Sequence, residues 1–175
     1  MGRLKQEMTL PDGRPMIAIV HHALAAVCPR VVLLGQSPHL PGLERVADLR
    51  EGCGPLGGIE ALLASEMGEQ YLVVPCDMPR VTADVLDALL IKSDQPATVF
   101  EGYPLPARIS ADALPTVKRL LDSGERAVWR LLDDVVAERV PMRDAWIARL
   151  ENVNTPEDVE RIARRSTQRS PSDRG

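Results

Sequence analysis

From residue 16 to residue 27 the apolar positions recur every three or four residues, at Ile17, Val20, Leu24 and Val27, and Pro15 stands where a first helical turn accepts it. That spacing predicts an amphipathic helix. The pattern then changes to short unbroken apolar runs, RVVLLG at 30–35 and QYLVV at 70–74. A run apolar on both faces belongs inside a covered, mostly parallel sheet. Residues 44–47 predict a further brief strand, and DLREGCGPLGG then leads into a helical stretch over 59–67 closed by Gly68. Thr82 is placed to cap a helix running to Lys92, with Asp84 in its first turn. Strand and helix have then alternated three times, which predicts βα units laid side by side in a doubly wound sheet.

The second half has another texture. ATVFEGYPLPARIS predicts two strands joined around Gly102, followed by the helical segments DALPTVKRLLDSG and ERAVWRLLDD and by a strand in VVAERV. Near the end, Thr155-Pro156-Glu157-Asp158 combines an N-cap, a first-position proline and an acidic first turn. Residues 166–175 carry no apolar side chain, so the expectation is one domain over 1–165 and a disordered tail over 166–175.

Composition narrows the function classes. The 175 residues are 45% hydrophobic, enough for one buried core, yet only 3% aromatic, too few to stack single-stranded nucleic acid. A net charge of −4 argues against a general polyanion binder while leaving room for local basic clusters around a phosphorylated ligand. Cys28, Cys53 and Cys76 form no CxxC pair and have no histidine at zinc-ligand spacing, so neither a disulfide framework nor a zinc site is expected. No run approaches the roughly 18 apolar residues of a membrane span, and no signal peptide leads the chain, which points to the cytoplasm, with neither membrane nor nucleic acid as partner.

The most pointed carboxylate is Asp77, set between prolines directly after the 70–74 run, because ligands of open parallel sheets bind at the carboxyl ends of strands. It either holds a hard cation such as Mg²⁺ or caps the turn that follows. GPLGG lets backbone approach a ligand ahead of a helix N-terminus, or is a plain loop tightening into that helix. Lys5, with Arg3 beside it, is a point charge able to meet phosphates.

Together, MGRLK at the start, Asp48 before GPLGGIEALL, PCDMP after the strand and the late ENVNTPED resemble the molybdenum cofactor guanylyltransferases, the MobA-like nucleotidyltransferases. The resemblance implies a Rossmann-like α/β fold, a mostly parallel sheet flanked by helices, that joins GMP from GTP to molybdopterin and releases pyrophosphate with Mg²⁺. It places Asp77 on the family's metal-binding aspartate and Lys5 on its phosphate-contacting lysine, both catalytic. It implies nucleotide contacts from Arg3, Asp48 and the backbone of Gly54, Pro55 and Leu56, and acceptor contacts from Asn152, Asn154 and Arg108. Asn154 serves equally as a cap for the last helix. Cys76 is expected to be a buried spacer rather than a nucleophile. Cofactor-assembly proteins and acceptor molybdoenzymes are the protein partners the resemblance implies.

The pattern departs from the family at the front. The family sets a buried strand of roughly 5 or 6 residues and a glycine-rich LAGGxSxR loop before its MGxxK, whereas here Met1 is that methionine. The expectation is a sheet lacking its first strand, two neighbouring strands with unpaired edges, and an internal methionine recorded as the start. Activity of the chain as written is expected to be poor or nil. Leu4 also stands where guanylyltransferases commonly carry Asp. A CTP- or sugar-phosphate-dependent transferase and a non-catalytic adaptor in cofactor assembly are the alternatives.

Overall fold

A computed structural model describes residues 9–35, 37–155 and 157–161. The first helix, α1 (Met16–Ala25), buries the face bearing Met16, Ile17, Val20 and Ala23. Two short parallel strands follow, β1 (Leu33–Leu34) and β2 (Arg45–Val46), then α2 (Gly54–Ala64). The chain continues through β3 (Gln70–Val73), α3 (Ala83–Asp87), β4 (Ala97–Phe100), β5 (Ala107–Ser110), α4 (Leu114–Asp122), α5 (Val128–Asp134), β6 (Glu138–Val140) and α6 (Asp144–Ile147). Residues 157–161 begin the helix expected after Thr155.

β3, β5, β4 and β6 make one sheet in that order. β5 runs antiparallel to both neighbours, and β4 and β6 are parallel, so β3, β4 and β6 all point the same way. The β4–β5 pair is the hairpin expected around Gly102, whose φ of +81° suits glycine at the turn. All eight side chains of these two strands are buried, as a sheet covered on both faces requires.

β1 and β2 stand apart as a second sheet. Their backbone shows why. The N–H groups of Leu33 and Gly35 bond Glu44 and Val46, so the alternate residues, Val32 and Leu34, turn their backbone groups the other way. On β3, Tyr71 and Val73 face β5, because the Ala111 N–H bonds the Glu69 carbonyl and fixes the ladder's phase. Leu72 and Val74 therefore face away. Both outward edges line one apolar groove of about 370 Å³, walled by Val20 and Leu24 of α1 and by Leu62 of α2. Among the described residues, the sheet is thus interrupted between β1 and β3. The expected domain limit at 165 and the tail over 166–175 lie outside the described residues.

Two helices differ from expectation. α2 starts at Gly54 rather than Ile59, since Pro55 sits in its first turn where the absent N–H is harmless. α3 stops at Asp87 rather than Lys92, leaving Leu90 and Ile91 partly exposed.

Candidate functional site

The carboxyl end of β3 carries Asp77, the most pointed carboxylate of the sequence. β3 ends at Val73, and Pro75 and Pro79 bracket the turn that carries Asp77. The Val81 N–H bonds the Met78 carbonyl at 3.1 Å and closes the turn that follows, with the Met78 and Val81 side chains buried. Asp77 is half-buried, and its Oδ1 is shut off from solvent.

The late motif reaches the same place. The N–H of Val153 donates to the carbonyl of Asp77 at 2.8 Å, and the Val153 side chain is fully buried against Met16 and Val159. The exposed Asn152 and Asn154 flank this anchored residue in the chain. Asp158 accepts from the N–H groups of Asn154 and Thr155, each at 3.0 Å, while Thr155 Oγ1 accepts from the Asp158 N–H at 3.1 Å. This reciprocal cap starts the last helix. The Asn154 N–H first, then the Thr155 hydroxyl, holds the Asp158 carboxyl below its ordinary range.

A second group forms around the start of α2. Gly54 has φ of +58°, and a Cβ on Gly58 would lie 3.4 Å from Leu34 Cδ1 and 3.8 Å from Asp48 Oδ1. The first turn of α2 therefore packs on the end of β1 and beneath Asp48. Gly54 and Pro55 are exposed, whereas the Leu56 side chain lies wholly in the core, leaving only its backbone to meet a ligand. α2 carries the chain from the carboxyl ends of β1 and β2 back to the start of β3. β1 and β2 are parallel to each other, and Asp48 follows the end of β2 as Asp77 follows the end of β3.

Gly57 is tighter still, since a Cβ there would come within 2.6 Å of Cys53 Cβ. Gly57→Ala is expected to force the turn before α2 open, at roughly 1–3 kcal/mol. A lower melting temperature, read by thermal unfolding, is the expected result.

Arg50 is a residue the sequence did not single out. Its guanidinium bonds Glu60 at 3.1 Å and Asp122 at 2.6 Å, tying the turn after Asp48 to α2 and α4. Glu60 is 2% exposed. A lone carboxylate inside the apolar stretch GGIEALL was the available signal, because a buried charge requires a partner.

Arg108 is a correction. It lies in β5, 5% exposed, with Nε donating to Thr98 Oγ1 at 3.0 Å and the remaining nitrogens to Gln70 Oε1 and the Gln95 carbonyl. Gln70 opens β3 and Gln95 precedes β4, so the guanidinium turns to the amino ends of these strands, opposite Asp77. It clamps three strands together and is not presented beside the late motif. Burial pushes its pKa down, partly offset by Glu138. Arg3 and Lys5 lie outside the described residues.

Among the described residues no group of three or more His, Cys, Asp or Glu side chains could hold a metal. A single partly shielded carboxylate at a strand end still fits Mg²⁺, which takes one or two protein carboxylates and completes its shell with water and phosphate oxygens. The described cysteines are all free, and no described helix is long and apolar enough to cross a membrane.

The chain is similar to several known proteins. A family model described as MobA-like NTP transferase domain matches residues 1–140. The molybdenum cofactor guanylyltransferase of Ectopseudomonas mendocina is 34% identical over 164 residues, covering 83% of this chain and 76% of that protein. Molybdopterin-guanine dinucleotide biosynthesis protein A from Archaeoglobus fulgidus matches with a TM-score of 0.77 at 25% identity, over 95% of this chain and 92% of that one. The 2-C-methyl-D-erythritol 4-phosphate cytidylyltransferase from Thermus thermophilus shares the fold, with a TM-score of 0.68 at 17% identity over 93% and 95% of the two chains.

Proposed function

The chain belongs to the family of MobA-like NTP transferase domains, and from that premise we propose that it transfers GMP from GTP to molybdopterin and releases pyrophosphate. The observation that carries this reading is the hydrogen bond from the Val153 N–H to the Asp77 backbone carbonyl, which holds the late Asn-Val-Asn segment against the strand end that bears the Asp77 carboxylate. A nucleotidyl donor at Asp77 and a phosphorylated acceptor at Asn152 and Asn154 are then neighbours.

In-line attack by the acceptor's terminal phosphate on the α-phosphorus needs positioning and charge neutralisation rather than a covalent nucleophile. Asp77 holds Mg²⁺ in this reading, and the ion when bound supplies positive charge to the α-phosphate and the departing pyrophosphate. Lys5 and Arg3 add cationic charge on the phosphate side. Asp48 and the backbone of Gly54, Pro55 and Leu56 bind the base. Asn152 and Asn154, their backbone fixed by Val153 and the Thr155–Asp158 cap, orient the acceptor.

The test is pyrophosphate release by the full-length protein, as its gene encodes it, with GTP or CTP, molybdopterin and Mg²⁺. Release with GTP, stopped by chelation and restored by Mg²⁺, is the expected result. Release with CTP alone would transfer the reading to a cytidylyltransferase. Calorimetry that finds neither nucleotide binding would replace it with the adaptor reading.

A further inference from the structure

Most described arginines are spent on carboxylates: Arg14 on Asp12, Arg30 on Glu44, Arg50 on Glu60 and Asp122, Arg119 and Arg130 on Asp134, Arg139 on Asp133, Arg161 on Glu151 and Asp158. Arg126 instead donates to the carbonyls of Leu121 and Glu125. Arg80, Arg143 and Arg149 form no ion pair with any described carboxylate, and neither does Arg45, which lies on the outer strand β2. The first three are carried by one apolar cluster. Arg80 lies between Met78 and Val81, three residues after Asp77; Arg143 follows β6; Arg149 adjoins Leu150, three residues before Asn152. Met78, Val81, Phe100, Trp146 and Leu150 pack together in that cluster.

The packing fixes where the cations sit. Phe100 closes β4 and meets Trp146 with ring centroids 5.5 Å apart, and the Arg143 guanidinium lies over the Trp146 ring, 4.4 Å from its centroid. A guanidinium stacked by its face keeps its N–H edge available to a planar or tetrahedral anion. Arg80 Nη1 is buried and has no hydrogen-bond partner among the described residues. An unsatisfied donor of a charged group is expensive, and a native protein that retains one at a strand end has reason to. Because β3, β4 and β6 are parallel, the segments after them share the edge that carries Asp77 and Val153. On a chain of net charge −4, three cations on that edge with no described carboxylate partner mark a local anion site.

We propose that Arg80, Arg143 and Arg149 form the surface that binds the phosphate monoester of the acceptor, the part that sequence resemblance had assigned to Arg108. This rests on the transferase reading for the identity of the ligand, while the anion site itself rests on the arginine cluster.

Arg80→Gln, Arg143→Gln and Arg149→Gln, singly and together, test it in the full chain. Each single change is expected to raise the KM for molybdopterin roughly tenfold, the worth of one charge-assisted hydrogen bond. The KM for GTP should stay within about twofold, and Arg80→Lys should recover part of the loss. A second readout is calorimetric binding of inorganic phosphate at low salt, which the unsubstituted chain should show and the triple variant should lose. Loss of phosphate binding in a chain that turns over no GTP upholds the anion site and sinks only the transferase reading. Acceptor and GTP constants rising together, or phosphate binding equal in both proteins, overturns the proposal. So does an absence of phosphate binding joined to an unchanged acceptor KM. Should Arg80→Gln fail to fold, the Arg143→Gln and Arg149→Gln double variant, which leaves Arg80 in place, supplies the same comparison.

Discussion

Replacing Asp77 by Asn is expected to lower kcat by roughly 10²–10³-fold, the scale seen when one preorganised electrostatic group is removed from a charge-building transition state, while leaving the fold intact. The substitution keeps the shape and one oxygen of the side chain and removes its charge. It also keeps the backbone carbonyl that accepts from Val153, so the late segment stays attached to the strand end. Chemistry and architecture are therefore separable at this residue. The measurement is pyrophosphate release across a Mg²⁺ titration, alongside circular dichroism and thermal unfolding of the same samples. Activity within about tenfold of the unsubstituted chain, at an unchanged Mg²⁺ requirement, would remove Asp77 from the catalytic role. A matching collapse in melting temperature would show instead that Asp77 is structural.

The strand-end site was legible because its signals are local. An apolar run, two bracketing prolines and one carboxylate lie within ten residues of chain, and the β4–β5 hairpin announces itself by a glycine between two apolar stretches. The length of β1 was not legible. RVVLLG reads as a six-residue strand, yet only Leu33 and Leu34 pair, because one edge of the run faces the groove and a ladder needs partners. Contacts across the chain were equally hidden. Arg50 meets Asp122 across 72 positions, and nothing in either neighbourhood names the other. The arginines of the anion site are also a property of the fold, since their distinction lies in having no described carboxylate neighbour, which only packing assigns.

Arg108 shows the same limit in the opposite direction, and its substitution separates the two roles sharply. Arg108→Ala is expected to lower stability by roughly 2–4 kcal/mol, since it strips partners from buried acceptors and leaves a void in the middle of the sheet. Thr98, fully buried, loses the donor to its Oγ1, and Gln70 and the Gln95 carbonyl lose theirs. For a domain of this size the melting temperature should fall by on the order of 10 °C. The KM for the acceptor should change little in the fraction that remains folded, because the guanidinium faces the amino ends of β3 and β4. Arg108→Lys keeps the charge but cannot fork between Thr98, Gln70 and Gln95, so it should recover less than half of the lost stability. An acceptor-binding Arg108 would give the reverse pattern, a large rise in acceptor KM at nearly unchanged stability. Thermal unfolding and acceptor titration on Arg108→Ala, set beside the same pair on Arg143→Gln, therefore assign one arginine to the sheet and the other to the ligand.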